Sequence, residues 1–183
     1  SEVNGGYEYE DQSYVGQNRF GIHESLDPAN TLVDCIGCHM NADDEEPAKH
    51  TFVPKIEDCN ACHQGGSFPS MSGSPAIFFQ QIESLKAELL TAIQAYATTG
   101  ALPIVSPIIY DPVEYPYWFK DNGEGANYGN RYVDADFDML TAMYNYHLTR
   151  SDPGGYIHNG IYAIELLYDS IVAMGGTPSV TRP

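Results

Sequence analysis

Cys35-Ile36-Gly37-Cys38-His39, repeated in kind as Cys59-Asn60-Ala61-Cys62-His63, decides how the rest of the chain is read. Each pentapeptide has the pattern of a covalent c-type haem site. Two thiols about one helical turn apart bond the porphyrin vinyl groups, and the adjacent imidazole becomes the proximal ligand of the iron. On this reading Cys35, Cys38, Cys59 and Cys62 are thioether positions, His39 and His63 are proximal ligands, and two haem c are the expected cofactors. All four cysteines of the chain are used.

The same cysteines can be read as a four-thiolate zinc site, with twenty residues between the two pairs. The histidines argue against it, because a metal already held by four sulfurs has no use for an imidazole directly after each pair, yet two of the six histidines stand there. Disulfides are the third option. Pairs this close in sequence would close loops too short to stabilise much.

Composition sets the outer bounds. With 43% apolar and 12% aromatic residues, the 183-residue chain is expected to fold rather than to remain disordered, and as one domain. No run approaches the roughly 18 apolar residues of a membrane span, and no secretory signal is present. The chain starts at Ser1 without Met, so a cleaved precursor is expected. Haem c is attached outside the cytoplasm, which makes the expected location extracellular or periplasmic. Eight Lys and Arg against 25 Asp and Glu give a formal charge of −17, which disfavours nucleic acid and anionic membrane surfaces and suits a cationic redox partner.

Residues 1–22 are rich in Gly, Tyr and acids without periodicity, and read as an extended arm able to lie on a neighbour or on its own domain. The dihaem domain is expected over 23–174, its run Asp43-Asp44-Glu45-Glu46 a solvated turn, and 175–183 as a loose tail. A first long helix is predicted after Ser74-Pro75, with Ile82, Leu85, Leu89, Ile93 and Tyr96 on one face before Gly100. Residues 101–133 read as irregular, punctuated by Pro103, Pro107, Pro112 and Pro116; the aromatic tract Tyr110, Tyr115, Tyr117, Trp118, Phe119 is read as core packing ahead of a haem edge or a partner. A second helix opens near Asp134, Asp136 and Asp138, which suit a helix N-terminus, and shows Phe137, Leu140, Tyr144 and His147 on a stripe. Those acids resemble a calcium loop only superficially, since Met139 stands where that loop needs Gly. A third helix is predicted from about Tyr156 to Met174, with Ile157, Ile161, Ile164, Tyr168 and Ile171 inward.

The sixth ligand of each iron separates a carrier from a catalyst. A second His closes the iron, Met raises its potential, and an open position admits substrate. Four histidines remain, His23, His50, His147 and His158, enough for bis-His ligation of both irons, with Met40, Met139 and Met143 as weaker candidates.

From Gly21-Ile22-His23 through Val33 to Met40, then His50, then Cys59 to His63 and a long helix, the chain resembles the last two haem motifs of the pentahaem, ammonia-forming cytochrome c nitrite reductases. The likeness continues at the break Ser151 to Gly155, followed by Ile157-His158-Asn159 and the helix Tyr162 to Ile171; similar His-Asn turns occur in hydroxylamine oxidoreductase-like and other multihaem cytochromes. It covers most of residues 20–172, and 101–133 has no counterpart in it. The resemblance implies His158 as distal ligand of the first haem and His23 as distal ligand of the second. His50 matches a ligand of an earlier haem that this chain lacks. It therefore ligates an iron here in place of His23, reaches a haem of a neighbouring subunit, or is structural. His147 is most simply a packed residue. The family's catalytic haem, with Lys in place of the motif's His, has no match here, and neither has its active-site His.

The expected fold is mainly α, with few or no strands, two close-set haems forming much of the core, and three longer helices in the C-terminal two-thirds. The expected role is electron transfer without substrate chemistry, as a shuttle between redox proteins or as the subunit of an extracellular conductive filament. The alternative is a small oxidoreductase acting on nitrogen or sulfur oxyanions at one open haem. Nothing in the chain resembles a signalling domain, which disfavours a haem-based sensor.

Overall fold

A computed structural model describes residues 5–18, 39, 53, 54, 74–100 and 102–183. These residues are mainly helical. Helix α1 spans Ser74–Thr99; an antiparallel ribbon follows, β1 Ile108–Tyr110 and β2 Trp118–Lys120. After it come α2 Phe137–Ser151, the single turn α3 Gly155–His158 and α4 Gly160–Ala173. The 23–66 segment, apart from His39, Val53 and Pro54, and with it the boundary drawn at 22/23, lies outside the described residues.

Helix α1 forms where the apolar spacing predicts it. Ile82, Leu85, Leu89 and Ile93 fall on one face at helical intervals and are buried against α2 and α4, with Tyr96 packed at the margin. The helix stops as Gly100 N–H bonds the Tyr96 carbonyl at 2.7 Å. Asp136 caps α2: its Oδ1 accepts from Met139 N–H at 2.9 Å, and its Oδ2 accepts from the Tyr96 hydroxyl at 2.7 Å, joining the start of α2 to the end of α1. That hydrogen bond, ahead of burial, pushes the Tyr96 phenol up to about 12.

The stripe predicted on α2 faces outward. Phe137 is 75% exposed, Leu140 58% and Tyr144 42%, whereas Met139, Ala142, Met143 and Tyr146 are buried. Both sets satisfy a helical period, and the facing helices select the one that includes the small Ala142 and the adaptable methionines. Segment 101–133, expected as irregular, carries the ribbon, with Ile109 opposite Phe119. Three-residue strands among prolines leave too short an alternation to read. Trp118 and Phe119 are buried, and Tyr115 is exposed.

The third predicted helix is broken at Asn159. This residue is extended and caps α4, its Oδ1 accepting from Tyr162 N–H at 3.3 Å. Helix α4 is then buried almost all round, on Ile164, Leu166, Leu167 and Ile171 and also on the polar Glu165, Asp169 and Ser170.

Those polar residues recruit both ends of the chain. The Glu165 carboxylate, fully buried, accepts from Val15 and Gly16 N–H at 2.9 and 3.0 Å. Asn145 exchanges two 2.9 Å hydrogen bonds with the backbone of Tyr7, and the Tyr162 hydroxyl donates to Glu8 at 2.9 Å. The arm residues 5–18 therefore lie on their own α2 and α4. Gly16 is required at this contact, since a Cβ there would come within 2.5 Å of Tyr162 N. The tail, expected as loose, is tied down because Asp169 is buried and needs a cation: Arg182 forks onto it through two 2.8 Å hydrogen bonds and donates to the Ser13 carbonyl at 2.7 Å.

Arg182→Ala leaves two buried carboxylates with no cation between them, and is expected to cost about 3 kcal/mol. Chemical denaturation measures this. A loss under about 0.5 kcal/mol, the size of an ordinary surface substitution, would show that the fork does not anchor the fold.

Candidate functional site

The turn between α2 and α4 presents His158. Helix α2 ends at Ser151, and Asp152 organises the next six residues: its Oδ1 accepts from Gly154 N–H at 3.0 Å and its carbonyl from Gly155 N–H at 3.1 Å. Its Oδ2 accepts from His158 Nδ1–H at 2.8 Å. This hydrogen bond raises the His158 pKa above its ordinary value against the opposing effect of burial. With Nδ1 engaged, Nε2 is the nitrogen left to bind a metal.

The turn is pinned from two sides. The Tyr156 ring meets Phe79 of α1 edge to face at 5.2 Å, and Gly160 packs so closely on Phe78 that a Cβ would come within 2.8 Å of its ring. On the other side the Asn159 side chain donates to the Gly16 carbonyl at 2.9 Å, so the residue that caps α4 also holds the arm. His158 is thereby fixed at the end of a short helix with its side chain 36% exposed.

Facing it is His39, helical and half-buried. The two ring centres lie 6.0 Å apart, with the planes at 49°. Metal–imidazole bonds are about 2 Å long, which puts the ring centres of two opposed axial ligands about 6 Å apart. The 6.0 Å between the rings leaves room for one metal ion held by both imidazoles. Cys35, Cys38, Cys59, Cys62, His63, His23 and His50 lie outside the described residues, as does Met40.

The other candidates among the described residues are engaged elsewhere. His147 stacks on Tyr117 at 4.0 Å and 22°, its Nδ1 is 2.8 Å from the Tyr110 hydroxyl, and its Nε2 is 3.4 Å from Ser151 Oγ. Burial lowers its pKa. Tyr117 reaches this stack from the left-handed region, at a φ of 77°, a conformation costly for an aromatic residue and compensated by the packing around it. Met139 and Met143 are core residues under α1 and α4. Sequence reasoning missed Asp152 and Gly154 as part of the site. The only signal was the Asp-Pro-Gly-Gly run, which reads as a break and nothing more.

No family model matches the chain, and no solved structure matches it. The chain is similar to the C-type polyheme cytochrome OmcB of Geobacter sulfurreducens, 29% identical over 198 aligned positions covering 91% of this chain and 24% of the relative. It is likewise similar to the C-type polyheme cytochrome OmcC of the same species, at 30% identity over the same shares. The chain thus spans about a quarter of the length of these curated relatives.

His147→Phe keeps a ring against Tyr117 and loses the bond to Tyr110. It is expected to lower stability by about 1 kcal/mol and to leave the ferric haem spectrum unchanged; a new high-spin band in that spectrum would instead put His147 on an iron. The span matched to these polyheme cytochromes covers 91% of the chain and so includes residues 35–63, which carry both Cys-x-x-Cys-His pentapeptides.

Proposed function

We propose that the chain transfers single electrons as an exported dihaem c-type cytochrome. The observation that carries this is the opposed pair His39 and His158, at 6.0 Å between ring centres, beside a Cys-x-x-Cys-His motif that ends on one member of the pair. Haem c supplies a one-electron Fe(III)/Fe(II) couple when bound. Cys35 and Cys38 would anchor the first haem and Cys59 and Cys62 the second, with His39 and His63 as proximal ligands. His158 closes the first site and His23 the second, which leaves neither iron a position for substrate. The number of haems follows from the two Cys-x-x-Cys-His motifs, and the His23 assignment from the resemblance to the nitrite reductases.

Several features support a place in a series of haems. The relatives similar to this chain are polyheme cytochromes of about four times its aligned length. The charge of −17 would steer cationic redox proteins toward it. His50 is the residue left to ligate a haem across a subunit contact if the chain repeats in an extracellular filament; as a shuttle, the protein needs no such ligand. Export follows from the chemistry of haem attachment. No helix among the described residues is long and apolar enough to cross a membrane.

In the holoprotein both ferric haems are expected to be low-spin and unresponsive to nitrite, and both ferrous haems unresponsive to carbon monoxide. His158→Ala should turn one of them high-spin while the haemochrome assay still counts two. A variant with two unaltered low-spin haems would remove His158 from the iron, and a wild-type spectrum that shifts with nitrite would favour the oxyanion enzyme. Sizing the same sample separates shuttle from filament.

A further inference from the structure

We propose that Asp152 is the positioning residue for the His158 imidazole, and that its carboxylate sets the reduction potential of the haem His158 ligates. This rests on the ligand pair proposed above. The two carboxylate oxygens have separate tasks. Oδ1 is bound by Gly154 N–H at 3.0 Å, which fixes the side chain to its own turn, and Oδ2 receives the His158 Nδ1–H at 2.8 Å. The carboxylate cannot swing away without breaking the turn that carries the ring.

Gly154 completes the cradle. A Cβ at this position would lie 2.8 Å from His158 Cε1 and 3.1 Å from Nε2, so the ring lies close over bare backbone. The φ of Gly154 is −92°, which any residue adopts, so the need for glycine comes from the ring and not from the backbone. One imidazole nitrogen is thus oriented by a fixed anionic acceptor, and the Cε1 corner of the ring packs on a glycine.

The electronic consequence follows from the acceptor's charge. A carboxylate that takes the Nδ1–H hydrogen bond draws that proton outward and makes Nε2 a stronger donor. A stronger donor favours the ferric over the ferrous iron and lowers the potential. Asn in place of Asp keeps one oxygen for Gly154 N–H and turns its NH2, a donor, toward His158, so the Nδ1–H loses its anionic acceptor. The turn is therefore preserved while the donor strength falls.

The test is a redox titration of the dihaem holoprotein, wild type against Asp152→Asn, with electron paramagnetic resonance on the ferric forms. Both haems should stay low-spin, and one potential alone should rise, by about a tenfold change in the Fe(III)/Fe(II) ratio at fixed potential, or about 59 mV for one electron. Gly154→Ala retains the carboxylate but pushes the ring away from it, and should shift the g-values and raise the potential of that same haem; it also decides the matter if Asp152→Asn does not fold. Unchanged potentials in Asp152→Asn, or unchanged g-values in Gly154→Ala, overturn the proposal even where His158→Ala has produced a high-spin haem. If His158→Ala produces none, the ligand pair itself fails.

Discussion

Burial of α4 on nearly every side is the constraint from which the rest of the arrangement follows. A helix enclosed in this way must satisfy whatever polar groups it carries, and α4 carries Glu165 and Asp169. Neither can be solvated. Two backbone N–H groups from the arm and the guanidinium of Arg182 from the tail supply the compensation, so the two ends of the chain are fastened to the same helix. The apolar contribution comes from α1 and α2, whose inner faces close over Ile164, Leu167 and Ile171.

The candidate site inherits its rigidity from this packing. Asn159 begins α4 and at the same time holds the Gly16 carbonyl, which places the end of the single-turn helix α3 where the arm, α1 and α4 converge. Phe79 against Tyr156 and Phe78 against Gly160 settle the remaining freedom. His158 then stands on a short, multiply fastened turn, and Asp152 sets which of its nitrogens can reach outward. A side chain held in this way would lose little conformational freedom on binding a metal.

His147 illustrates how tertiary context separates two residues of the same type. Both His147 and His158 stand near the end of a helix in the sequence. In the fold, one is stacked on Tyr117 and bonded to Tyr110, and the other faces His39 across 6.0 Å. The helix stripe that carries His147 and the His158-Asn159 turn already set the two apart in the sequence; their partners, which come from distant segments, are visible only in the fold.

The local chemistry was legible in the sequence. The Cys-x-x-Cys-His pentapeptides carry their meaning within five residues, and the helices α1 and α2 announce themselves by period, cap and stop, as at Ile82 to Ile93 and at Asp136. Long-range choices were not. Which face of α2 turns inward, why Arg182 is immobilised and how Asp152 meets His158 depend on surfaces brought together from remote parts of the chain. A pattern of one period states that a helix has a buried side; only the packing of α1, α2 and α4 decides which residues occupy it, because the energy of burial resides in contacts between elements and not within any one of them.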